Sequence, residues 1–198
     1  MTTWPIGIQP SHCSWSRDRT DGFLESPTTR ARQIVRRGRP LWKASITWGV
    51  KPEDVSEVRY QIESLKGGAG SVKLHDFASI ILPTPAVPLL AAASVGATSI
   101  STSGWPVSTT GVVIAGQYLE VAELLYLVAA TANSDGSGQA TITLTTPLLA
   151  AASIGALAVL IRPGCQMRID SQDWSGARTA DGALWSVNGS FVEKVTSA

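Results

Sequence analysis

The sequence predicts a mainly β fold with one α-helix and an inserted small β-barrel or sandwich. Several runs alternate between apolar and polar residues, one segment has an apolar stripe at helical spacing, and a long Ala-, Thr-, Val- and Ser-rich region interrupts the chain. Of the 198 residues, 44% are hydrophobic, which is enough for a substantial core. Only 16% are charged, against about 25% in typical globular domains. Such a chain either exposes many Ser, Thr and Gly residues or covers its surface with partners, and both fit a subunit better than a free enzyme.

The N-terminal region is expected to hold an arm and then the strands of a first sheet. Residues 1–30 are polar and broken by prolines, which predicts an extended arm with one short strand. Residues 32–48 are predicted to form two strands of a hairpin around the turn Gly38-Arg39-Pro40. The second strand places alternate residues on one face, namely Trp42, Ala44, Ile46 and Trp48.

One helix is predicted over residues 52–66. Pro52 suits the first helical turn, because its missing N–H would have no partner there. An apolar stripe follows at spacings of three and four: Val55, Val58, Ile62 and Leu65. Gly67-Gly68 is expected to end the helix, and the next strand to occupy residues 71–75.

The region beyond Pro83 is predicted to be a separate inserted module. Short strands are expected over 98–101, 111–114, 118–121, 124–129 and 139–145, and a hairpin turn over Asp135–Gly138. We expect eight residues in the core of this module: Ile100, Val113, Leu119, Val121, Leu125, Leu127, Ile142 and Leu144. Alternation returns after Pro163, so residues 1–82 and 164–198 are predicted to form one discontinuous domain and residues 83–163 the insertion.

A ten-residue segment occurs twice in the inserted region. Residues 88–97 read PLLAAASVGA and residues 147–156 read PLLAAASIGA, so they differ only at Val95 and Ile154. This indicates a local duplication or two similar turns that lead into strands, since a solenoid would need a third copy.

The residue types present argue against catalysis and against a bound cofactor or metal. His75-Asp76 has no nucleophile elbow to serve, and a hydrogen-bonded strand-end histidine is the simpler interpretation. Glu120 and Glu123 are three apart on a strand and would point to opposite faces, which disfavours a glycosidase pair. There is no closely spaced set of His and Cys for zinc. With two cysteines, no signal-peptide pattern and no long apolar run, we expect a reduced compartment and no membrane insertion.

Basic residues are concentrated in the N-terminal third of a chain whose net charge is only +1. Arginines are enriched in protein interfaces and also bind nucleic acid, and we favour subunit contact. The predicted subunit-interface or channel residues are Arg30, Arg32, Arg36, Arg37, Arg39, Trp42 and Trp48.

The order of these parts resembles the distal tail proteins of long-tailed bacteriophages and of gene transfer agents. The resemblance rests on Gly38-Arg-Pro-Leu-Trp42, the helix over 52–66 ending in Leu65-Lys-Gly-Gly-Ala-Gly70, the strand to Asp76, and the closing run 182–193. Residues 104–142 are similar to the inserted β-module of prophage tail proteins of this kind. The resemblance implies a β-sandwich of the tail-tube type flanked by one helix.

The same resemblance implies a structural, non-enzymatic virion protein at the tail tip, assembled in the host cytoplasm. It implies a homo-oligomeric ring, usually of six copies, that joins the tail tube protein to the tip hub protein, with fibre or receptor-binding proteins as further partners. DNA would be only passing cargo, and no cofactor is implied. The alternative is a carbohydrate- or receptor-binding β-module without ring assembly, with Trp105, Tyr118 and Tyr126 as an exposed platform.

Overall fold

The computed structural model of the chain describes residues 2–3, 10–18, 22–25, 28–30, 32–35, 39–51, 53–77, 86–170, 175–178 and 185–194. Within these residues the fold is mainly β, with several antiparallel sheets and one α-helix, and this confirms the predicted fold class. Helix α1 spans Val55–Ser64, and a short 3-10 helix spans Gly67–Ala69. The described strands are β1 Thr2–Thr3, β2 His12–Asp18, β3 Gly22–Glu25, β4 Arg32–Val35, β5 Leu41–Val50, β6 Val72–His75, β7 Ala86–Pro88, β8 Ser99–Ser103, β9 Tyr118–Val121, β10 Leu124–Leu127, β11 Gln139–Thr143, β12 Leu157–Val159, β13 Gly164–Ile169, β14 Ser175–Arg178 and β15 Trp185–Glu193.

The chain divides into two compact units. The discontinuous unit comprises Met1–Val72 and Met167–Ala198, and the central unit comprises Lys73–Gln166. The sequence-based boundaries, at 82/83 and 163/164, differ from these because strands β6 and β13 each contain a unit boundary.

Seven strands form the largest sheet, in the order β1-β6-β13-β15-β5-β2, with β14 also pairing β15. Strand β5 has the alternation that the sequence predicts: its even-numbered residues from Trp42 to Val50 are buried. It pairs with β15 on one side, with Phe191 opposite Ala44, and with β2 on the other, with Trp15 opposite Ala44. Strand β5, the longest of the described strands, is therefore a central strand of this sheet.

The expected hairpin between residues 32–35 and β5 is wrong. Strand β4 pairs with β3 in a separate two-stranded sheet, with Glu25 opposite Arg32. Both edges of β5 are occupied by strands distant in sequence, and the alternation of β5 carries no information about which strands these are.

Helix α1 buries the predicted stripe, since Val55, Val58, Ile62 and Leu65 are all buried. Its end differs in one detail: Lys66, not a glycine, is the first residue in the left-handed conformation, with φ +47°. Gly70 then closes the turn, because its N–H donates to Leu65 O and an added Cβ would lie 2.6 Å from that oxygen.

The central unit has its own core between a four-stranded sheet, β10-β9-β12-β7, and a two-stranded sheet, β11-β8. Six of the eight predicted core residues belong to this core; Leu125 is buried but lies outside it, and Leu127 is only partly buried. The predicted strand over 111–114 is wrong: Val113 makes a single bridge, to Ala132.

The tightest hairpin in the central unit is β9–β10, which turns over Ala122 and Glu123. Both residues have positive φ, +50° and +62°, the conformation that a two-residue type I′ turn requires. Neither residue is Gly, Asn or Asp, so their types do not predict this turn. Asp135–Gly138 forms a turn, with Gly138 N–H donating to Asp135 O, and the strand that follows it, β11, pairs in register with β8.

The two copies of the ten-residue repeat pair with each other in antiparallel fashion. Ala93 and Ala152, which are equivalent positions, exchange both backbone hydrogen bonds at 2.8 and 2.9 Å. The flanking bonds also occur in equivalent pairs: Leu89 N to Ala156 O with Leu148 N to Ala97 O, and Gly96 N to Leu148 O with Gly155 N to Leu89 O. The repeat therefore forms a pseudo-two-fold pair centred on Ala93 and Ala152.

Candidate subunit-contact site

The β3–β4 hairpin carries two of the predicted contact arginines. Arg30 lies in the loop between the strands, with φ +55°, and Arg32 begins β4 opposite Glu25. Arg30 and Arg32 are both exposed, and Ile34 on the same hairpin is 59% exposed. Arg36 and Arg37 lie outside the described residues. The hairpin thus presents arginines and an exposed aliphatic side chain together.

Arg39 is engaged within the chain. Its Nη1 donates to Oε1 of Glu193 at 2.9 Å, and the backbone N–H of Trp42 donates to Oε2 of the same carboxylate at 3.1 Å. Glu193 is buried, so the charge on Arg39 compensates a carboxylate that would otherwise be costly to desolvate. This contact gives Arg39 a structural role in the discontinuous unit.

The two tryptophans of the predicted site belong to the core of the discontinuous unit. Trp48 is fully buried and packs edge-on against Phe191, with ring centroids 6.1 Å apart. Trp42 is 4% exposed. The centroid of its ring lies 6.1 Å from the ring centroid of Trp15 and 4.5 Å from Cζ of the Arg17 guanidinium. Neither is accessible to another subunit, so among the described residues of the predicted site the exposed ones are Arg30 and Arg32.

A charged cluster on the sheet was missed at the sequence level. Lys43 Nζ lies 3.0 Å from a carboxylate oxygen of Asp18 and 3.8 Å from one of Asp170. The hydrogen bond and charge of Asp18, with a smaller contribution from Asp170, raise the pKa of Lys43. The three residues come from β2, β5 and the end of β13, so only the strand order brings them together.

The residues considered for catalysis are His75 and the glutamates Glu120 and Glu123. The ring of His75 contacts Phe77, with centroids 4.2 Å apart, and burial, followed by the charge of Arg162, lowers the pKa of His75. Glu120 is buried on β9, whereas Glu123 is exposed in the β9–β10 turn and not on a strand. Among the described residues, no three His, Cys, Asp or Glu side chains are grouped to hold a metal ion.

Glu120 instead holds the ends of the central unit. Its Oε1 accepts a hydrogen bond from Lys73 Nζ at 2.5 Å, and its Oε2 accepts one from the backbone N–H of Gly164 at 3.0 Å. Lys73 lies on β6 and Gly164 on β13, the strands through which the chain enters and leaves this unit. Local sequence patterns do not predict this role of Glu120, because both partners are more than 40 residues away along the chain.

The aromatic platform expected for a carbohydrate-binding module is wrong. Trp105 is 5% exposed and its Nε1 donates to Thr102 Oγ1, and Tyr126 is buried with its hydroxyl accepting from Leu149 N–H. Tyr118 is partly buried. Both rings supply core volume, which is the commoner fate of an aromatic side chain in a β-module.

Within the described part of the chain, none of the helical segments has the length and apolar character of a membrane span. Compared with known proteins, the chain matches no protein-family model and no curated protein.

Proposed function

We propose that this chain is a structural virion protein that forms a ring at the distal end of a long phage tail. The ring, of six copies, joins the tail tube to the tip hub and offers attachment to receptor-binding fibres. The similarity of the sequence to distal tail proteins supports this, as does a mainly β fold with one helix in the predicted position.

The observation that carries the proposal is the β3–β4 hairpin. It is a two-stranded sheet, and its exposed residues include Ile34, Arg30 and Arg32. A single two-stranded hairpin is marginally stable in water, and a neighbouring subunit that packs on Ile34 would stabilise it. An exposed aliphatic residue among arginines is a composition that suits a protein interface.

Native mass spectrometry of the purified chain, with particle imaging, tests the proposal. We expect a closed oligomer of six copies, because identical subunits usually assemble with closed cyclic symmetry. Ile34→Glu should shift the population to monomer, since it places a charge where an apolar contact is expected.

Tyr60→Glu is the matched control. Tyr60 is 70% exposed on helix α1, so this variant also adds a charge at an exposed apolar position but leaves the hairpin unchanged. A chain that stays monomeric at high concentration and forms no ring in particles would refute the proposal. A ring that tolerates Ile34→Glu as well as it tolerates Tyr60→Glu would remove the hairpin from the contact.

A further inference from the structure

The central unit has a polar groove of about 460 Å³ along the β8–β11 sheet. One wall is the sheet itself, and the other is the segment 131–135, which precedes the Asp135–Gly138 turn. The exposed Leu90 and the buried residues Thr102, Ala132 and Ala140 complete the lining. Its rim is polar, formed by side chains of Ser101, Thr131, Asn133, Asp135, Gln139 and Thr141.

The wall opposite the sheet is held in place by its own hydrogen bonds. Asn133 Oδ1 accepts from Gly111 N–H at 2.8 Å, and Asp135 Oδ1 accepts from the N–H groups of Ser137 and Gln139 at 2.8 and 2.9 Å. These contacts use one polar atom of each side chain and leave Nδ2 of Asn133 and Oδ2 of Asp135 for a ligand. A groove with preformed walls loses little conformational entropy when it binds.

The sheet wall offers hydroxyl groups in pairs. Ser101 and Thr141 are directly opposite each other in the β8–β11 register, and both line the groove. Side chains in this relation have Cβ atoms about 5 Å apart, so two hydroxyl groups lie side by side. Gln139, opposite Ser103, adds an amide that both donates and accepts.

The charge of the groove disfavours anionic ligands. Asp135 is the one ionisable side chain among the lining residues, and residues 76–161 contain no Lys or Arg. A phosphate, a sulfate or an acidic sugar would meet a carboxylate with no compensating cation. A neutral ligand with several hydroxyl groups and a small C–H face matches the polar rim and the exposed side chain of Leu90.

We infer that this groove binds a neutral oligosaccharide. The hydroxyl groups of the sugar would bond to Asn133, Asp135, Gln139 and Thr141, and a C–H face would lie on Leu90. The inference concerns different residues from the buried aromatic rings, and it is independent of ring assembly because the groove lies within one unit of one chain.

Ligand-observed NMR and calorimetry with the whole chain test the inference. The probes are neutral trisaccharides of glucose, of galactose, of rhamnose and of N-acetylglucosamine, with a sialylated trisaccharide as the acidic comparison. We expect at least one neutral probe to bind saturably at about millimolar concentration, because the groove is shallow and offers a few hydrogen bonds of modest net value.

Two variants and one control locate the binding. Thr141→Val and Gln139→Ala each remove a lining side chain and should weaken binding about tenfold. Thr143→Val is the matched control, because Thr143 is also exposed on β11 but does not line the groove. The affinity of this variant for the sugar should equal that of the native chain.

Three outcomes would overturn the inference: no neutral probe binds at about 10 mM, the acidic probe binds best, or Thr143→Val weakens binding as much as Thr141→Val. The oligomeric state is recorded in the same samples. A chain that binds sugar without forming rings would refute the proposed function and support the groove as a sugar site. A chain that forms rings but binds no sugar would support the proposed function and refute the sugar site.

Discussion

Two hairpins of this protein have the same number of paired positions, but their described side chains differ in burial. Strands β3 and β4 have four residues each and four paired positions, as do β9 and β10. In β9–β10, Leu119, Val121 and Tyr126 are buried in the core of the central unit. In β3–β4, Glu25, Arg32 and Ile34 are exposed. Equal ladders of backbone hydrogen bonds therefore do not imply equal stability, because the packed face supplies most of the stabilisation.

The largest effect is expected from Glu120→Ala, which replaces a buried side chain of β9. The variant removes the acceptor of Lys73 Nζ and Gly164 N–H and leaves both without their buried partner. We expect the free energy of unfolding to fall by about 3 kcal/mol, the range found when one member of a buried pair is removed. Chemical denaturation measures it.

Glu123→Ala is the control for that experiment, since Glu123 is exposed in the turn of the same hairpin. Its effect should stay within about 0.5 kcal/mol. Equal losses in the two variants would mean that the buried contacts of Glu120 add nothing to stability.

Proline substitution in the repeat tests whether the backbone hydrogen bonds between its two copies stabilise the central unit. Ala93→Pro and Ala152→Pro each remove one of the two exchanged N–H donors. We expect each to cost about 3 kcal/mol in the free energy of unfolding and the two costs to agree within about 1 kcal/mol. Ala93→Ser retains the donor and should cost far less. A large effect at one position alone would contradict their equivalence.

Replacing Ala122-Glu123 by Asn-Gly should stabilise the β9–β10 hairpin. Both native residues adopt left-handed backbone conformations that side chains disfavour, and Asn-Gly is the preferred type I′ pair. The variant should gain about 1 kcal/mol, measured as a higher denaturation midpoint. Ala122→Val should lower that midpoint, and a gain from valine would rule out strain in the turn.

The smallest expected effect is a pH dependence from His75 in the central unit. Burial lowers its pKa in the folded state below the ordinary value of 6.5, so the unfolded chain binds the proton more readily. Stability should be fully present above pH 6.5 and fall as the pH drops from there through the lower folded pKa. Denaturation of the native chain and of His75→Gln across this window measures the difference, and identical slopes would exclude His75 as the cause.

Local periodicity predicted the elements, and the pairing partners could not be derived from it. The alternation of β5 and the stripe on α1 are properties of short segments, and the structure has both. The partner of β4 and the burial of Trp105 depend on contacts between distant residues. The same holds for the groove, whose lining residues come from four separate stretches of sequence and carry no motif.

The self-pairing of the repeat has a consequence for how this sequence can change. Each copy is the binding surface of the other, as in a symmetric dimer whose two halves happen to share one chain. A substitution in one copy disturbs its contact with the other copy. Such a substitution is therefore selected against unless a compensating substitution occurs in the second copy. Nine of the ten positions are identical in the two copies. The single difference, Val95 against Ile154, falls where both side chains are more than 60% exposed and neither copy constrains the other.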